Sequence, residues 1–410
     1  HERLVGSEMC IRDRLIYMDN AATTSTAPEV VSAMLPFFTE YYGNPSSVYN
    51  FAQKSKMAIE DAREIIADSI GAAKSNEIYF TGGGSESDNW ALKSAAFGLR
   101  DKGNHIITTK IEHHAILNTC AYLEKNGFEV TYLDVDSEGF VSSEDIENAI
   151  TDKTILISVM FANNEIGTIE PVREIGEIAH KHGILFHTDA VQAMCHVPIN
   201  VTEMNIDLLS ASAHKFHGPK GVGFMYMKNT AKLEPFIHGG AQERARRAGT
   251  SNVPGIVGMG QAVKLALGTL DKDTHTIINM RNYIVDRILG EIPDVTFDGP
   301  CIDANADVNA VSVGLPMCSL KRLPSNMHFC FKDVSGDSLL IMLDMNGICA
   351  SSGSACAAGS IDPSHVLIAI GRSKGETKGA LRLSIDKDLT KEDADYAIDA
   401  LKAAVARLRR

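Results

Sequence analysis

The chain has no apolar run approaching the ~18–20 residues needed to cross a bilayer, and no secretory signal pattern opens it. It also lacks basic excess. Its 39 Lys and Arg stand against 52 Asp and Glu, a formal net charge of −13, which argues against nucleic acid or an anionic membrane as the main partner. Eight cysteines lie scattered at positions 10, 120, 195, 301, 318, 330, 349 and 356 without a CxxC pair, so neither a disulfide framework nor a zinc site is indicated. No tandem repeat or low-complexity segment appears. What remains is a globular chain of 410 residues, 44% hydrophobic with mean hydropathy −0.05, long enough for two domains and expected in the cytoplasm.

Residues 1–14, HERLVGSEMCIRDR, have no apolar periodicity and are set aside as a non-native or disordered leader, with no role for Cys10. Leu15 to Met18 is the first strand-like run. From about 26 to 230, short β-type runs alternate with helical stretches: Ile78–Thr81, His105–Thr109, Val130–Leu133, Ile155–Phe161, Ile184–His187, Leu208–Ala211 and Gly223–Met227. Several are nearly continuous in apolar or β-branched residues, as strands buried on both faces should be. Ser142-Ser-Glu-Asp145 and Thr26-Ala-Pro-Glu29 have helix-capping spacing between them. This predicts an α/β domain with a seven-stranded, mostly parallel sheet over 26–264. A long helical run follows Val253-Pro254-Gly255 as far as Ile292, where Pro293 stops it. Strand-like pieces at Met327–Phe331 and Ala380–Ser384 come next, then a final helix from Thr390-Lys-Glu-Asp393 with Ile398, Leu401, Val405 and Leu408 on one face. Residues 15–25 and 265–410 are expected to form a smaller α+β domain.

Ligands of an open parallel sheet bind outside the carboxyl ends of its strands. Strand 78–81 runs into Gly82-Gly-Gly-Ser-Glu-Ser-Asp88 and a helix, which suits either an anion cradle or a plain glycine-rich turn. The other strands end at Glu112-His113-His114, Asn163-Asn164-Glu165, Asp189-Ala-Val-Gln192 and Ser212-Ala-His214-Lys215. One polar residue at a strand end is ordinarily structural; four polar clusters and a glycine-rich turn on one sheet edge are not. A lysine able to form an imine, an aspartate for a pyridine nitrogen, a ring to stack and a phosphate cradle are what pyridoxal 5'-phosphate needs. Lys215 would hold the cofactor, Asp189 would pair with its ring nitrogen and His113 would stack on the ring. Gly84, Ser85, Ser212 and His214 would reach the phosphate.

Several motifs together resemble the cysteine desulfurases of the class V aminotransferase superfamily, group I, with fold type I. They are Tyr17-Met-Asp-Asn-Ala-Ala-Thr-Thr24, Gly43-Asn-Pro-Ser-Ser47, Glu112-His-His-Ala115, Asn163-Asn-Glu-Ile-Gly167, His214-Lys-Phe-His-Gly-Pro-Lys-Gly221 and Ser351-Ser-Gly-Ser-Ala-Cys356. The likeness runs from about 15 to 410. It implies Lys215 as the imine lysine, Asp189 at the pyridine nitrogen, Gln192 at the phenolic oxygen, His113 over the ring and Asn164 beside cofactor and substrate. It implies further that Thr250 reaches the phosphate of a neighbouring subunit, in a homodimer with shared active sites, and that Arg382 clamps the substrate carboxylate. Cys356, among small residues suited to a moving loop, would take sulfur from L-cysteine as a persulfide, leaving L-alanine. From there sulfur would pass to an acceptor or scaffold protein for iron–sulfur clusters, tRNA or thio-cofactors, with Cys356 a transient cluster ligand and no other metal expected. Cys330 and Cys349 are read as core thiols.

The chain departs from the pattern at Cys301–Lys321, an apparent insertion of roughly fifteen residues at loop-like length, and at Ile385-Asp-Lys-Asp388 just after Arg382. Selenocysteine lyase shares fold and cofactor and is the alternative enzyme reading; a non-catalytic dimeric scaffold for cluster assembly is the alternative of another class. Intact Lys215, Asp189, His113 and Cys356 speak against the scaffold.

Overall fold

The computed structural model describes residues 14–231, 233–302, 320–353 and 363–410. The 301–321 segment, apart from its ends, and Cys356 therefore lie outside the described residues. The strands are β1 (Ile16–Tyr17), β2 (Ile78–Thr81), β3 (His105–Thr109), β4 (Glu129–Leu133), β5 (Thr154–Ser158), β6 (Leu185–Asp189), β7 (Leu208–Ser212), β8 (Gly223–Met227), β9 (Val295–Asp298), β10 (Asn326–Phe331), β11 (Ile348–Cys349) and β12 (Ala380–Ser384). A seven-stranded sheet has the order β2-β8-β7-β6-β5-β3-β4, with β8 antiparallel to both neighbours and every other pairing parallel. Because β8 reverses twice, β2 again points the same way as β7, and the C-terminal ends of β2, β3, β5, β6 and β7 share one edge.

The apolar runs behave as strands because helices cover both faces, and β2, β3, β5, β7 and β8 are buried along their whole length. β5 ends at Ser158, three residues short of the apolar run, and Val159 to Phe161 continue as loop into the site. β6 starts one residue late and extends through Asp189. Ser142 caps its helix through Asp145 N–H, and Thr390 caps the last helix through Asp393 N–H. Thr26 does not cap; Ala27 holds the N-cap position ahead of Pro28, while the Thr26 hydroxyl donates to the Gly218 carbonyl.

A second, three-stranded antiparallel sheet has the order β12-β10-β9, and β1 pairs in parallel with β11. Asp298, His328 and Arg382 stand side by side across the three-stranded sheet, so their side chains share a face. His328 Nδ1 lies 2.8 Å from Asp298 Oδ2, and Arg372 Nε donates to the other oxygen at 2.7 Å. One helix, Val253–Glu291, serves both cores: Val253, Ile256, Met259, Ala262 and Val263 pack under the large sheet, and Ile284, Val285 and Ile288 under the small one. That helix is long and apolar enough to cross a membrane by length and composition alone, but apolar residues at both its ends are built into these two protein cores.

Candidate active site

The shared strand edge opens into a cavity of about 310 Å³. Gly84 and Ser85 come from the helix after β2, His113 from the turn after β3, Asn164 from the loop after β5, Asp189 and Gln192 from the end of β6, and Ser212, His214 and Lys215 from β7 and the turn beyond it. Arg382 enters from β12 of the other sheet. Ten of the expected site residues therefore line one space. Thr250 does not; it is exposed, two residues before Asn252, the N-cap of the long helix. Gly353 lines the cavity, and Ser364 donates to Glu165 Oε2 at 2.6 Å, so described residues on both sides of 354–362 meet its wall.

Lys215 Nζ donates to the carbonyls of Ala21 and Ala22 at 2.6 and 2.8 Å, and Gln192 Nε2 to that of Ala21 at 2.9 Å. His113 Nδ1 accepts the Ala115 N–H at 3.1 Å, which assigns the neutral ring's proton to Nε2. Burial pushes the His113 pKa down, with Lys215 and His114 adding to the effect and Asp189 opposing it. Asp189 accepts from Val191 N–H at 2.9 Å. Burial pushes its carboxyl up, while His113 and Lys215 oppose the shift.

Two more buried carboxyls lie close by. Glu112 accepts from Thr109 Oγ1 and Met160 N–H, and burial raises it to about 8. Asp88 shares the cavity floor, pushed well up by burial and by Asp189; its Oδ1 finds no hydrogen-bond partner among the described residues. Behind it His187 is held between Ser158 and Ser210 and is lowered to about 3 by burial. A floor this rich in carboxyls suits a cationic ring N–H placed against Asp189, since a nearby positive charge restores the ionised form. An open recess along Gly82–Ser85, Ser212, His214 and Lys220 borders the cavity, and a Cβ on Gly84 would meet Val191 Cγ2 at 2.6 Å. The start of the helix Gly84–Gly98, two hydroxyls and an imidazole here match a phosphate. The donor set fits pyridoxal phosphate.

Arg382 is 1% exposed. Its Nη1 donates to the carbonyls of Asn164 and Gly353 at 2.9 and 3.1 Å, and its Nη2 pairs with Asp19 Oδ1 at 2.8 Å. Asp19, Asp88, Glu112, His114, Glu165 and His365 form part of this architecture without having been assigned roles from sequence. Most sit inside the motifs that mark the strand ends, which is the signal that pointed to them. Asp19 lies in the Tyr17–Thr24 motif that carries the family resemblance, whereas His365 gave no signal, because chain folding from a distant segment brings it in.

The class-V aminotransferase pattern matches residues 16–397. A protein named cysteine desulfurase IscS from Clostridium botulinum is 54% identical over 97% of this chain and 96% of its own. Another of that name from Methanosarcina thermophila is 50% identical over 98% and 95%. Among solved structures, a NifS-like protein superposes with TM-score 0.86 at 35% identity, covering 96% of this chain and all of its own. SspA, solved in complex with cysteine, does so with TM-score 0.76 at 37% identity over 91% and 99%. The chain belongs to the class-V aminotransferase family of α/β, fold type I enzymes. Within it, the chain is a pyridoxal-phosphate-dependent cysteine desulfurase.

Proposed function

We propose that this cavity takes sulfur from L-cysteine through the residues named above, and that Cys356 receives it as a persulfide. The carrying observation is that Lys215 and Arg382, from different sheets, line one cavity with Asp189, at a wall formed in part by Gly353. Pyridoxal phosphate, when bound, supplies the electron sink that acidifies the substrate's Cα–H. Lys215 would be its attachment point and then the amine that moves the Cα proton; Asp189 would face the ring nitrogen, Gln192 the phenolic oxygen, and Gly84, Ser85, Ser212 and His214 the phosphate. Neutral His113, its proton on Nε2, would pack against the ring. The substrate carboxylate takes the place of Asp19 on Arg382, beside Asn164. The Cys356 thiolate then attacks the substrate sulfur: an S–S bond forms, the C–S bond breaks, the carbon takes a proton and alanine leaves.

We read residues 26–264 as the large domain, and 15–25 with 265–410 as the small one. The working unit is a homodimer in which Thr250 serves the partner's phosphate. Exposed Val31 and Phe38 support this, because they sit on the short helices Pro28–Met34 and Pro36–Thr39, both of which contact the long helix that begins three residues after Thr250. A sulfur acceptor or iron–sulfur scaffold takes the persulfide onward in the cytoplasm, where thiols such as buried Cys120, Cys195 and Cys330 stay reduced. The test is turnover of L-cysteine with alanine and sulfide quantified, followed by mass mapping of the added sulfur. Cys356→Ser is expected to form no alanine; wild-type rates from that variant would sink the assignment.

A further inference from the structure

The small sheet carries two buried polar atoms that the proposed reaction leaves without a partner. They are Arg382 Nε and His328 Nε2, neither of them hydrogen-bonded among the described residues. Both side chains are enclosed, Arg382 at 1% exposure and His328 at 0%. The two residues face each other across β10 and β12. Arg382 N–H donates to the Ser351 carbonyl at 2.6 Å, and its own carbonyl accepts from Ser351 N–H at 3.2 Å, so its backbone is turned away from β10. The pair is therefore of the non-hydrogen-bonded kind, which brings facing side chains closest. Gly353 lies over both: its carbonyl takes Arg382 Nη1 at 3.1 Å, and a Cβ on it would stand 3.3 Å from His328 Nε2. The imidazole is fixed from its other side. Its Nδ1 lies 2.8 Å from Asp298 Oδ2, and Arg372 Nε holds the other oxygen at 2.7 Å. Burial alone would raise the Asp298 carboxyl, but His328 and Arg372 bring it below the usual carboxylate range. An ionised carboxylate can only accept, so Nδ1 carries the proton and Nε2 a lone pair.

We propose that His328, set by Asp298, is the positioning residue for Arg382: when the substrate carboxylate displaces Asp19, Arg382 Nε–H donates to His328 Nε2. A buried N–H and a buried lone pair are each costly to leave open, and these two stand on adjacent strands with matching polarity. What draws them apart is the Asp19 carboxylate, which holds Nη2 at 2.8 Å on the side of the N-terminal segment. With Nε anchored on His328, both Nη groups turn their fork to the substrate carboxylate, a bidentate arrangement. An imidazole locked at one nitrogen fixes the plane of the guanidinium as solvent could not. The inference deepens the desulfurase reading and rests on it, since it takes Arg382 as the carboxylate's site.

Two substitutions separate the roles of the two ring nitrogens. An Asn amide stands where Nδ1 does, so His328→Asn can still donate to Asp298 but offers Arg382 nothing; a Gln amide reaches the Nε2 position, so His328→Gln keeps the acceptor. In the loaded enzyme, dissociation constants for L-alanine and for ethylamine, which is alanine without its carboxylate, are read from cofactor absorbance. His328→Asn is expected to weaken alanine about tenfold, the scale of one hydrogen bond, and to raise KM for L-cysteine by a similar factor with little change in kcat. His328→Gln is expected to bind alanine near wild-type strength, and all three proteins to bind ethylamine alike. Both variants weakening alanine equally, or ethylamine weakening in step with it, overturns the positioning role. Arg382→Lys keeps the charge but has no Nε–H, so in that background His328→Asn is expected to cost no further alanine affinity. A loss of about tenfold that persists there overturns the proposal even should His328→Gln fail to fold. Alanine bound no better than ethylamine by the wild-type enzyme would instead overturn the reading of Arg382 as the carboxylate's site.

Discussion

Lys215 sits in a turn just past β7, where carbonyls of the N-terminal segment steady its amine. Lys215→Ala is expected to abolish both alanine formation and the absorbance of imine-bound cofactor near ~420 nm, and Lys215→Arg to do the same although it keeps the charge, because a guanidinium is not a nucleophile. Parallel absorbance spectra and product assays check both. Glu112 offers a test at the same scale in pH. Burial raises its carboxyl from 4.5 to about 8, so the folded chain keeps a proton that the unfolded chain releases across that window. Between those limits the native state binds more protons, and this residue's contribution makes stability fall as pH rises. Glu112→Gln is neutral at every pH and keeps an acceptor for Thr109 and Met160. Its gain in thermal midpoint over wild type is expected to be larger at pH 8 than at pH 5.

The long helix Val253–Glu291 shows what local sequence means at the scale of an element. A Cβ on Gly260 would stand 2.8 Å from Ala62 Cβ and 3.0 Å from Ala62 Cα, on the helix Asn50–Ser69, whereas one on Gly268 meets nothing within 4 Å. Gly260→Val is therefore expected to cost about 1–3 kcal/mol through overpacking. Gly268→Ala should gain up to about 1 kcal/mol from helix propensity. Urea midpoints of the two variants measure the contrast. Sequence could not separate these glycines, because the difference lies in a neighbouring helix. The large-sheet strands were legible for the opposite reason: burial on both faces writes itself as unbroken apolar runs such as Ile155–Ile157. β9 and β11 were not legible. β11 has two residues, and Val295–Asp298 alternates weakly on an edge strand. Thr26 looked like a cap because its spacing was right, but its hydroxyl is turned to Gly218 instead.

At the scale of the molecule, the large sheet supplies the cofactor's side of the cavity and the small sheet supplies Arg382. The first was readable from polar clusters at strand ends. The second was not, since nothing local in Leu381-Arg-Leu-Ser384 says which cavity it reaches; there the family resemblance supplied the residue. In the proposed homodimer, Thr250 would carry the same logic to a second copy of the chain. Phe38→Glu, on the exposed apolar surface, is expected to shift sedimentation from dimer to monomer, and Thr250→Ala to leave the dimer intact; both should weaken cofactor retention on dialysis. The pairing of Asp19 with Arg382 has a consequence for turnover. Under the role proposed for Arg382, Asp19 is a tethered competitor for the substrate, held by the chain at a high effective concentration that dilution cannot change. An amino acid using Arg382 as proposed would have to evict it, which would limit how tightly cysteine can bind. On the same proposal its return to the arginine would help expel alanine, so the carboxylate that taxes entry would also clear the exit.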